Sequence, residues 1–301
     1  MIRFGALIAA FIAVGALSAR DIPAPGSPVS IIVTATGQKD VPAPQLTVDD
    51  VLVSQNKQHM PVTGLEPLRG QNGLQLWLLI DDGSSSNLGT QLADLKRFVL
   101  AQPAATQIGI GYMRNGGVQA VQPLTSDHEL AAHAIRLPLG MPGISASPYT
   151  ALEELVKKWP AGAASREVLM VSSGIDPIYG SGPNDPYLDA AIDKTQRAGI
   201  VVYSIYYSGA GRSGRASRQL FWGQNYLAQL SDETGGFTYW LGTQNPVSLA
   251  PYLDDLSHRL NSQYLLTFLA RPENKPGFQN VKIHTELRHV NLTGPSKVYV
   301  P

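Results

Sequence analysis

The chain has 301 residues, of which 44% are hydrophobic and 15% charged, so it is long and apolar enough to bury one large core or a large and a small one. Lys+Arg and Asp+Glu both number 23, and this neutral balance excludes a nucleic-acid binder that depends on phosphate contacts. The sequence contains no cysteine, so no disulfide supports the fold.

The first 19 residues have the composition of a targeting segment. Arg3 precedes an apolar, Ala-rich run over 4–17, and 16–18 (Ala-Leu-Ser) is typical of a small-residue cleavage site. The run is short for a membrane span. We therefore expect residues 1–19 to be a signal peptide and the mature protein to be secreted or periplasmic, without a membrane span once the signal is removed.

The segment 20–70 is predicted to be rich in β-structure. Residues 29–36 carry β-branched side chains in near alternation, which is typical of a strand. Two further apolar runs, 51–53 and 60–63, flank Asn56-Lys57-Gln58 and predict a hairpin.

From Leu74 onward apolar runs alternate with helical periodicities, which predicts an α/β fold with a doubly wound, mostly parallel sheet and helices on both faces over 71–262. Within it, Asn115-Gly116-Gly117 joins two strands in a hairpin. The tail 263–301 is again rich in strand patterns. We expect it to pair with 20–70 in a small antiparallel β unit formed by both chain ends.

Three helix starts are predicted from capping patterns. The segments 126–129 (Ser-Asp-His-Glu) and 150–153 (Thr-Ala-Leu-Glu) match the capping box, in which the first hydroxyl accepts from the helix backbone. Asp185-Pro186 places an N-cap before a proline at the first helical position.

Polar side chains follow the buried strand Leu-Trp-Leu-Leu-Ile at 76–80, in the stretch Asp82-Gly83-Ser84-Ser85-Ser86. Ligands of open α/β sheets bind beyond the carboxyl ends of the strands, which is where this stretch is expected to lie. Carboxylate and hydroxyl oxygens suit Mg²⁺ or Ca²⁺ better than zinc or copper. The same residue types also form turns and helix caps, so a purely structural role is the alternative interpretation.

The spacing Asp82-x-Ser84-x-Ser86 resembles the D-x-S-x-S motif of the von Willebrand factor type A (VWFA) domain. The order of strands and helices from Leu74 to about Leu260 agrees with that family, and so does the hairpin that leads into 122–127. The flanking β segments are similar to a VWFA-related variant of secreted bacterial proteins. The resemblance implies a metal-ion-dependent adhesion site, in which a Thr and a second Asp from later loops join the motif and a partner protein supplies a carboxylate.

This sequence departs from the family pattern at two positions. Where the Thr is expected, Ser145 fits best and Thr150 is the alternative. The family's Thr-Asp-Gly is Ser172-Ser173-Gly174 here, so Ser173 stands where the family has an aspartate and one negative charge is lost. Asp176 can supply that carboxylate only if the loop bends back. Asp81 is not expected to do so, since strand alternation turns it away from Asp82. The residues predicted to hold the metal are Asp82, Ser84, Ser86, Ser145, Ser173 and Asp176.

A nucleotide-dependent enzyme is the least favoured interpretation. Gly209, Gly211 and Gly214 match G-x-G-x-x-G, with acidic residues at 232–233, but these acids lie where a helix runs into glycines rather than at a strand end. The arginines of 212–218 favour a polar surface loop able to contact an acidic partner. We therefore expect an exported, non-enzymatic protein-binding module with a partly degenerate metal site, or a metal-independent interaction or structural protein of the cell envelope on the same fold.

Overall fold

The structure is a computed structural model that describes residues 26–38, 43–68, 73–84, 86–140, 147–162, 165–176, 182–207, 217–240, 246–272 and 275–301. The expected signal peptide lies outside these residues, as do Ser145 and the glycine-rich loop at 209–214. Within the described part of the chain, no helix has the length and apolar character needed to cross a membrane.

The strands and helices are as follows, in chain order. The strands are β1 (Ser27–Gly37), β2 (Leu52–Gln55), β3 (Gln58–Met60), β4 (Val62–Pro67), β5 (Leu74–Asp81), β6 (Gln107–Arg114), β7 (Gly117–Thr125), β8 (Ser165–Ser172), β9 (Val201–Tyr206), β10 (Thr238–Tyr239), β11 (Gln263–Ala270), β12 (Gly277–His284), β13 (Val290–Thr293) and β14 (Lys297–Val300). The α-helices are α1 (Leu92–Leu100), α2 (His128–His133), α3 (Pro148–Lys158), α4 (Pro186–Arg197), α5 (Ser217–Thr234) and α6 (Ala250–Leu260). Two 3₁₀ helices cover Val48–Asp50 and Ser86–Gln91.

Six strands form the central sheet in the order β10-β9-β8-β5-β6-β7. All neighbours are parallel except β6 and β7, which form the antiparallel hairpin at one edge. Helices cover both faces: α1, α2 and α6 pack on one, and α3, α4 and α5 on the other. The predicted fold class, a doubly wound and mostly parallel sheet, is confirmed.

Strand β5 lies inside the sheet and alternates between the two cores. Leu76, Leu78 and Ile80 belong to the layer under α1, α2 and α6. Trp77 and Leu79 belong to the layer under α3, α4 and α5. Because helices cover both faces of the sheet, the side chains of 76–80 are apolar on both sides of the strand.

The two chain ends form a β-sandwich beside the central sheet. Its sheets have the strand orders β13-β1-β11-β4 and β14-β12-β2-β3, and β1 pairs antiparallel with β11 over Ser27 to Thr34. The apolar residues between them include Val33, Val53, Phe268 and Val300. The expectation that both ends join in one antiparallel unit is thereby confirmed.

Two predicted hairpin turns occur where the asparagines indicated. Asn56 and Lys57 have φ of 48° and 68° between β2 and β3, and Asn115 and Gly116 have φ of 54° and 70° between β6 and β7. Positive φ at both central residues is the backbone of the turn that matches strand twist, and asparagine and glycine tolerate it best.

Both predicted capping boxes put the N-cap at the wrong residue, by one position for α2 and by three for α3. The N-cap of α2 is Asp127, whose carboxylate accepts from the backbone N–H of Leu130, and not Ser126. The N-cap of α3 is Ser147, so Thr150 lies inside the helix and donates to the Ser147 carbonyl. The proline after Ser147 is favoured at the first helical position and explains the earlier start. The cap at Asp185 is confirmed.

A buried polar network joins the sandwich to the central sheet. The hydroxyl of Tyr203 accepts from Gln263 at 3.0 Å and lies 3.5 Å from the hydroxyl of Thr34. Glu167 at the start of β8 is fully buried and accepts from Ser165 at 3.1 Å. Burial raises the pKa of Glu167 to about 7, against the hydrogen bonds from Gln263 and Ser165 that favour its charged form.

Glu167 should make the stability of the protein pH-dependent. Its pKa is about 7 in the folded protein and about 4.3 in an unfolded chain. The stability that protonation adds is therefore fully present below pH ~4.3 and is lost as the pH rises through about 7, by about 4 kcal/mol in all. The variant Glu167→Gln should lose this dependence, and urea denaturation at acidic and mildly alkaline pH measures it.

The matched control is Glu66→Gln, which removes an exposed carboxylate on β4. It should leave the pH dependence of the urea midpoint as in the wild type. Equal pH profiles for wild type and Glu167→Gln would show that folding does not shift the pKa of this carboxyl.

Candidate binding site at the carboxyl edge of the sheet

Asp81 and Asp82 leave the end of β5 in opposite directions. The backbone N–H of Asp82 donates to the Met113 carbonyl at 3.1 Å, so the parallel ladder with β6 continues through this residue. The alternation along β5 therefore continues too. Asp82 lies on the side of α1, α2 and α6, and Asp81 on the side of α3, α4 and α5.

Asp82 is fully buried and forms a two-pronged ion pair with Arg136, which follows α2. Arg136 Nη1 donates to Asp82 Oδ1 at 2.8 Å, and Nη2 donates to Oδ2 at 3.2 Å. The backbone N–H of Leu139 also donates to Oδ1, at 3.0 Å. Both carboxylate oxygens thus face fixed donors, in the geometry that makes carboxylate–guanidinium pairs strong.

The guanidinium of Arg136 is held in place by β6. It lies 3.7 Å from the ring centre of Tyr112. The Tyr112 hydroxyl also holds the Arg136 backbone: it accepts from the backbone N–H at 2.7 Å and donates to the backbone carbonyl at 2.6 Å. The hydrogen bond to Asp82 raises the pKa of Arg136 further, so the side chain stays charged. Burial raises the pKa of Tyr112, which keeps its hydroxyl protonated.

Asp81 contacts the turn that follows β8. Its Oδ2 accepts from the Ser172 hydroxyl at 3.0 Å, and its Oδ1 accepts from the Gly83 N–H at 2.8 Å. The turn itself is fixed by Gly174, which has a φ of 65° and lies so close to the Gly223 carbonyl that a Cβ would be 2.2 Å from it. Asp81 and Asp82 thus lie on opposite sides of β5, as the alternation predicted, and Asp81 is the residue that contacts the Ser172-Ser173-Gly174 turn.

Several carboxylates lie near Tyr149 on that side. The Tyr149 hydroxyl donates to the Gly174 carbonyl at 2.6 Å. The pKa of Tyr149 is raised well above its usual value, mainly by burial and also by the negative charges of Asp185, Asp176 and Asp81. Asp185 is already used as the N-cap of α4, where it accepts from two backbone N–H groups.

The other predicted ligands are in different environments. Ser84 is fully buried, and its hydroxyl has no hydrogen-bond partner among the described residues. Ser86 is exposed at the start of the 3₁₀ helix. Ser173 and Asp176 are buried in the turn after β8. Ser145 lies outside the described residues, so its place relative to Asp82 stays a prediction.

The arrangement around Asp82 does not fit a divalent cation. A metal bound there would have to displace Arg136 and Leu139 or lie beside a fixed positive charge. Within the described ranges, no group of three or more His, Asp or Glu side chains is arranged to hold a metal ion. The metal role expected of Asp82, Ser84, Ser86, Ser145, Ser173 and Asp176 stays a prediction.

Arg136 was not among the predicted site residues. The residue lies 54 positions after Asp82 and just beyond a short helix, and no local motif connects the two. The one available signal was indirect: a buried carboxylate that lacks its usual cation needs another positive partner.

Exposed apolar side chains lie on the segment that carries Arg136 and beside the 3₁₀ helix that follows β5. Leu137 and Leu139 are 48% and 50% exposed, directly after Arg136. Leu137 packs beside Gly89 in the 3₁₀ helix that follows β5. At the other end of that helix, Gln91 donates to the Pro246 carbonyl at 2.5 Å, next to Val247, which is 95% exposed. We call Leu137, Leu139 and Val247 the apolar rim.

No protein-family model matches the chain, and no curated protein sequence is significantly similar to it. Solved structures do resemble it in fold. An aerotolerance-related membrane protein from Bacteroides fragilis is 13% identical, with a TM-score of 0.47, over 63% of this chain and 99% of its own. A von Willebrand factor type A protein from Catenulispora acidiphila is 11% identical, with a TM-score of 0.46, over 93% and 75%.

A third similar structure is the vWF domain of the type V pili tip protein Mfa5 from Porphyromonas gingivalis, with 12% identity and a TM-score of 0.43 over 63% of this chain and 95% of its own. At these identities the likeness concerns the fold alone. The strand order, the single antiparallel edge and the two helical layers are those of the doubly wound α/β fold expected from the sequence.

Removing Arg136 should destabilise the protein strongly. In Arg136→Ala the buried Asp82 carboxylate loses its partner, and we expect a loss of about 3 kcal/mol in the free energy of unfolding. Asp82→Asn should cost less, because the charge it leaves unpaired is that of Arg136, whose side chain is one third exposed, whereas the Asp82 carboxylate is fully buried. Urea denaturation at constant pH measures both variants.

Arg97→Ala is the matched control, because it removes an arginine that is 69% exposed and 3.5 Å from Asp94. An exposed pair contributes less than about 1 kcal/mol. The ion pair has no special role in stability if Arg136→Ala costs no more than this control.

Proposed function

We propose that the protein is an exported, non-enzymatic protein-binding module that binds its partner at the carboxyl edge of the central sheet without needing a divalent ion. The observation that supports this most directly is the buried ion pair of Asp82 with Arg136. In this proposal the guanidinium provides the positive charge that a metal ion provides in the family that the sequence resembles.

The charge at the site differs between the two arrangements. A divalent ion on a single carboxylate leaves a net positive site that attracts a partner carboxylate. The pair of Arg136 and Asp82 has no net charge, so its long-range attraction for an acidic partner is weaker than that of a metal site. Binding of the partner then depends more on contact area. One third of the Arg136 side chain is exposed, and its outer N–H groups are suited to a short-range hydrogen bond with an acidic residue of the partner.

The apolar rim would supply the contact area. Exposed aliphatic side chains next to a fixed polar group have the composition of a protein interface, with apolar contacts beside a few oriented hydrogen bonds. The Leu139 N–H to Asp82 ties the rim to the ion pair. Loss of the pair should therefore disorder the rim as well as change the charge.

A divalent-ion site is the second candidate, and it would use the other side of β5. Asp81, Ser173 and Asp176 lie around the turn after β8, and the buried Ser84 hydroxyl lacks a partner among the described residues. Hydroxyls and carboxylates are Mg²⁺ and Ca²⁺ ligands. The candidate ligands would then be Asp81, Ser84, Ser173 and Asp176, with Ser86 and Ser145 as further hydroxyls.

Binding of the partner should persist when divalent ions are removed. We expect immobilised wild type to retain a protein from a cell-envelope extract in excess EDTA, and the double variant Leu137→Ser/Leu139→Ser to lose most of it, because the rim supplies the apolar contact. Quantitative mass spectrometry of the retained proteins measures the change.

Leu287→Ser is the control for this experiment, because Leu287 is an exposed leucine on the sandwich. It should retain the partner like the wild type. Release of the partner by EDTA from wild type, restored by added Mg²⁺, would refute metal-independent binding.

Calorimetry should distinguish the two candidates. With ~1 mM Mg²⁺ or Ca²⁺, near the range in which extracellular modules bind calcium, we expect no saturable heat from the wild type. Saturable heat that disappears in Asp81→Ala but remains in Asp82→Ala would instead establish the divalent-ion site beside the turn after β8.

A further inference from the structure

A cleft of about 400 Å³ lies at the opposite, amino edge of the central sheet, between this sheet and the sandwich. Its floor is formed by the starts of β8 and β9 and the end of α4, and its walls by the first half of β1 and by β14. Clefts of this size between two structural units are common places for ligands.

The cleft is lined by three basic side chains. The Arg197 guanidinium lies 4.1 Å from the ring centre of Tyr299 and 5.2 Å from that of Phe278. Arg166 donates to the backbone carbonyls of Ala198 and Pro160. Lys297 lies 3.5 Å from the Glu233 carboxylate.

Lys297 is the one cation of this group whose charge is balanced by a carboxylate. Among the described residues, neither Arg166 nor Arg197 forms an ion pair with an acidic side chain. Burial lowers the pKa of Arg166, yet an arginine stays charged at any physiological pH. The cleft therefore has positive charge available for an anion.

Strand β1 leaves part of its edge uncovered along this cleft. On one side it pairs with β11 over Ser27 to Thr34, but on the other side β13 covers only Thr34 to Gly37. Ala35 donates its N–H to the Ser262 carbonyl on the β11 side. By strand alternation, the backbone groups of Ser30 and Ile32 face the other side, where a Cβ on Gly294 would lie 3.4 Å from the Ile32 carbonyl oxygen and no described strand pairs with Ser30.

We propose that this cleft binds an extended acidic peptide segment of a partner protein, which adds as a short strand along the uncovered half of β1 and places a carboxylate against Arg166 and Arg197. Strand addition draws its affinity from backbone hydrogen bonds and its specificity from pockets for alternate side chains. Val29, Leu265 and Val298 provide an apolar lining for the alternate positions. Pro28 has no N–H and confines the added strand to a few residues.

A free organic acid is the competing occupant. It would use the arginines and the apolar lining but leave the backbone groups of Ser30 and Ile32 unused. The uncovered strand edge is therefore what favours a peptide. This inference does not depend on the carboxyl-edge site, because the two sites lie at opposite edges of the parallel sheet.

Fluorescence anisotropy with a labelled peptide of alternating valine and glutamate tests the proposal on the full chain. The peptide should bind, and the matched peptide of alternating valine and lysine should not. Arg197→Gln should weaken binding about tenfold, since it removes a charge-assisted contact. Arg197→Lys should retain most of the affinity, which separates charge from the packing on Tyr299.

Arg288→Gln is the control for surface charge, because Arg288 is exposed before β13 and does not line the cleft. It should bind the acidic peptide like the wild type, and so should Asp82→Asn and the double variant Leu137→Ser/Leu139→Ser. Loss of binding in these carboxyl-edge variants would place the peptide at the other site.

Backbone N-methylation of the acidic peptide decides between strand addition and a simple anion site. The methylated peptide should bind at least tenfold more weakly, because it cannot donate to β1. Equal affinity of both peptides would overturn strand addition. Competition by hexanoate at an affinity equal to that of the peptide would identify a free organic acid as the occupant, and Arg197→Gln without effect would overturn the site.

Discussion

The period-two alternation of β5 determines the whole carboxyl edge of the sheet. Because Ile80 points into the layer under α1, α2 and α6, the next residues, Asp81 and Asp82, must point to opposite sides. Each carboxylate then finds a partner on its own side: Asp82 an arginine after α2, and Asp81 a serine at the end of β8. The oxygens that follow β5 in sequence are thus divided between two environments.

A fixed guanidinium and an exchangeable metal ion have different physical consequences. A metal ion can be completed by a partner ligand, whereas Arg136 is already held by Tyr112 and by both oxygens of Asp82. Buried ion pairs add little to stability compared with apolar packing, but they fix geometry. Here the geometry that is fixed is that of 136–139, which carries two exposed leucines. This connects a charge in the interior to an apolar surface outside.

Local signals predicted most of the fold but little of the site. Asparagine-containing turns and the apolar runs of β5, β6 and β8 were sufficient, because turn type and strand burial depend on near neighbours. The site depends on distant pairs. Asp82 and Arg136 are 54 residues apart, and no periodicity relates them. Even the start of α3 was misplaced at Thr150, since Ser147 before Pro148 makes the better cap.

The pairing of the two chain ends forms the cleft at the amino edge of the central sheet. The pairing of β1 with β11 brings the first described strand against the strand that follows α6, which holds the sandwich beside the amino ends of β8 and β9. β13 is only four residues long, so it cannot cover all of β1. A strand edge left open beside Arg166 and Arg197 is a site for strand pairing. Because α4 ends at Arg197, one helix end positions both the charge and the floor of the cleft, and a ligand there would bind both structural units at once.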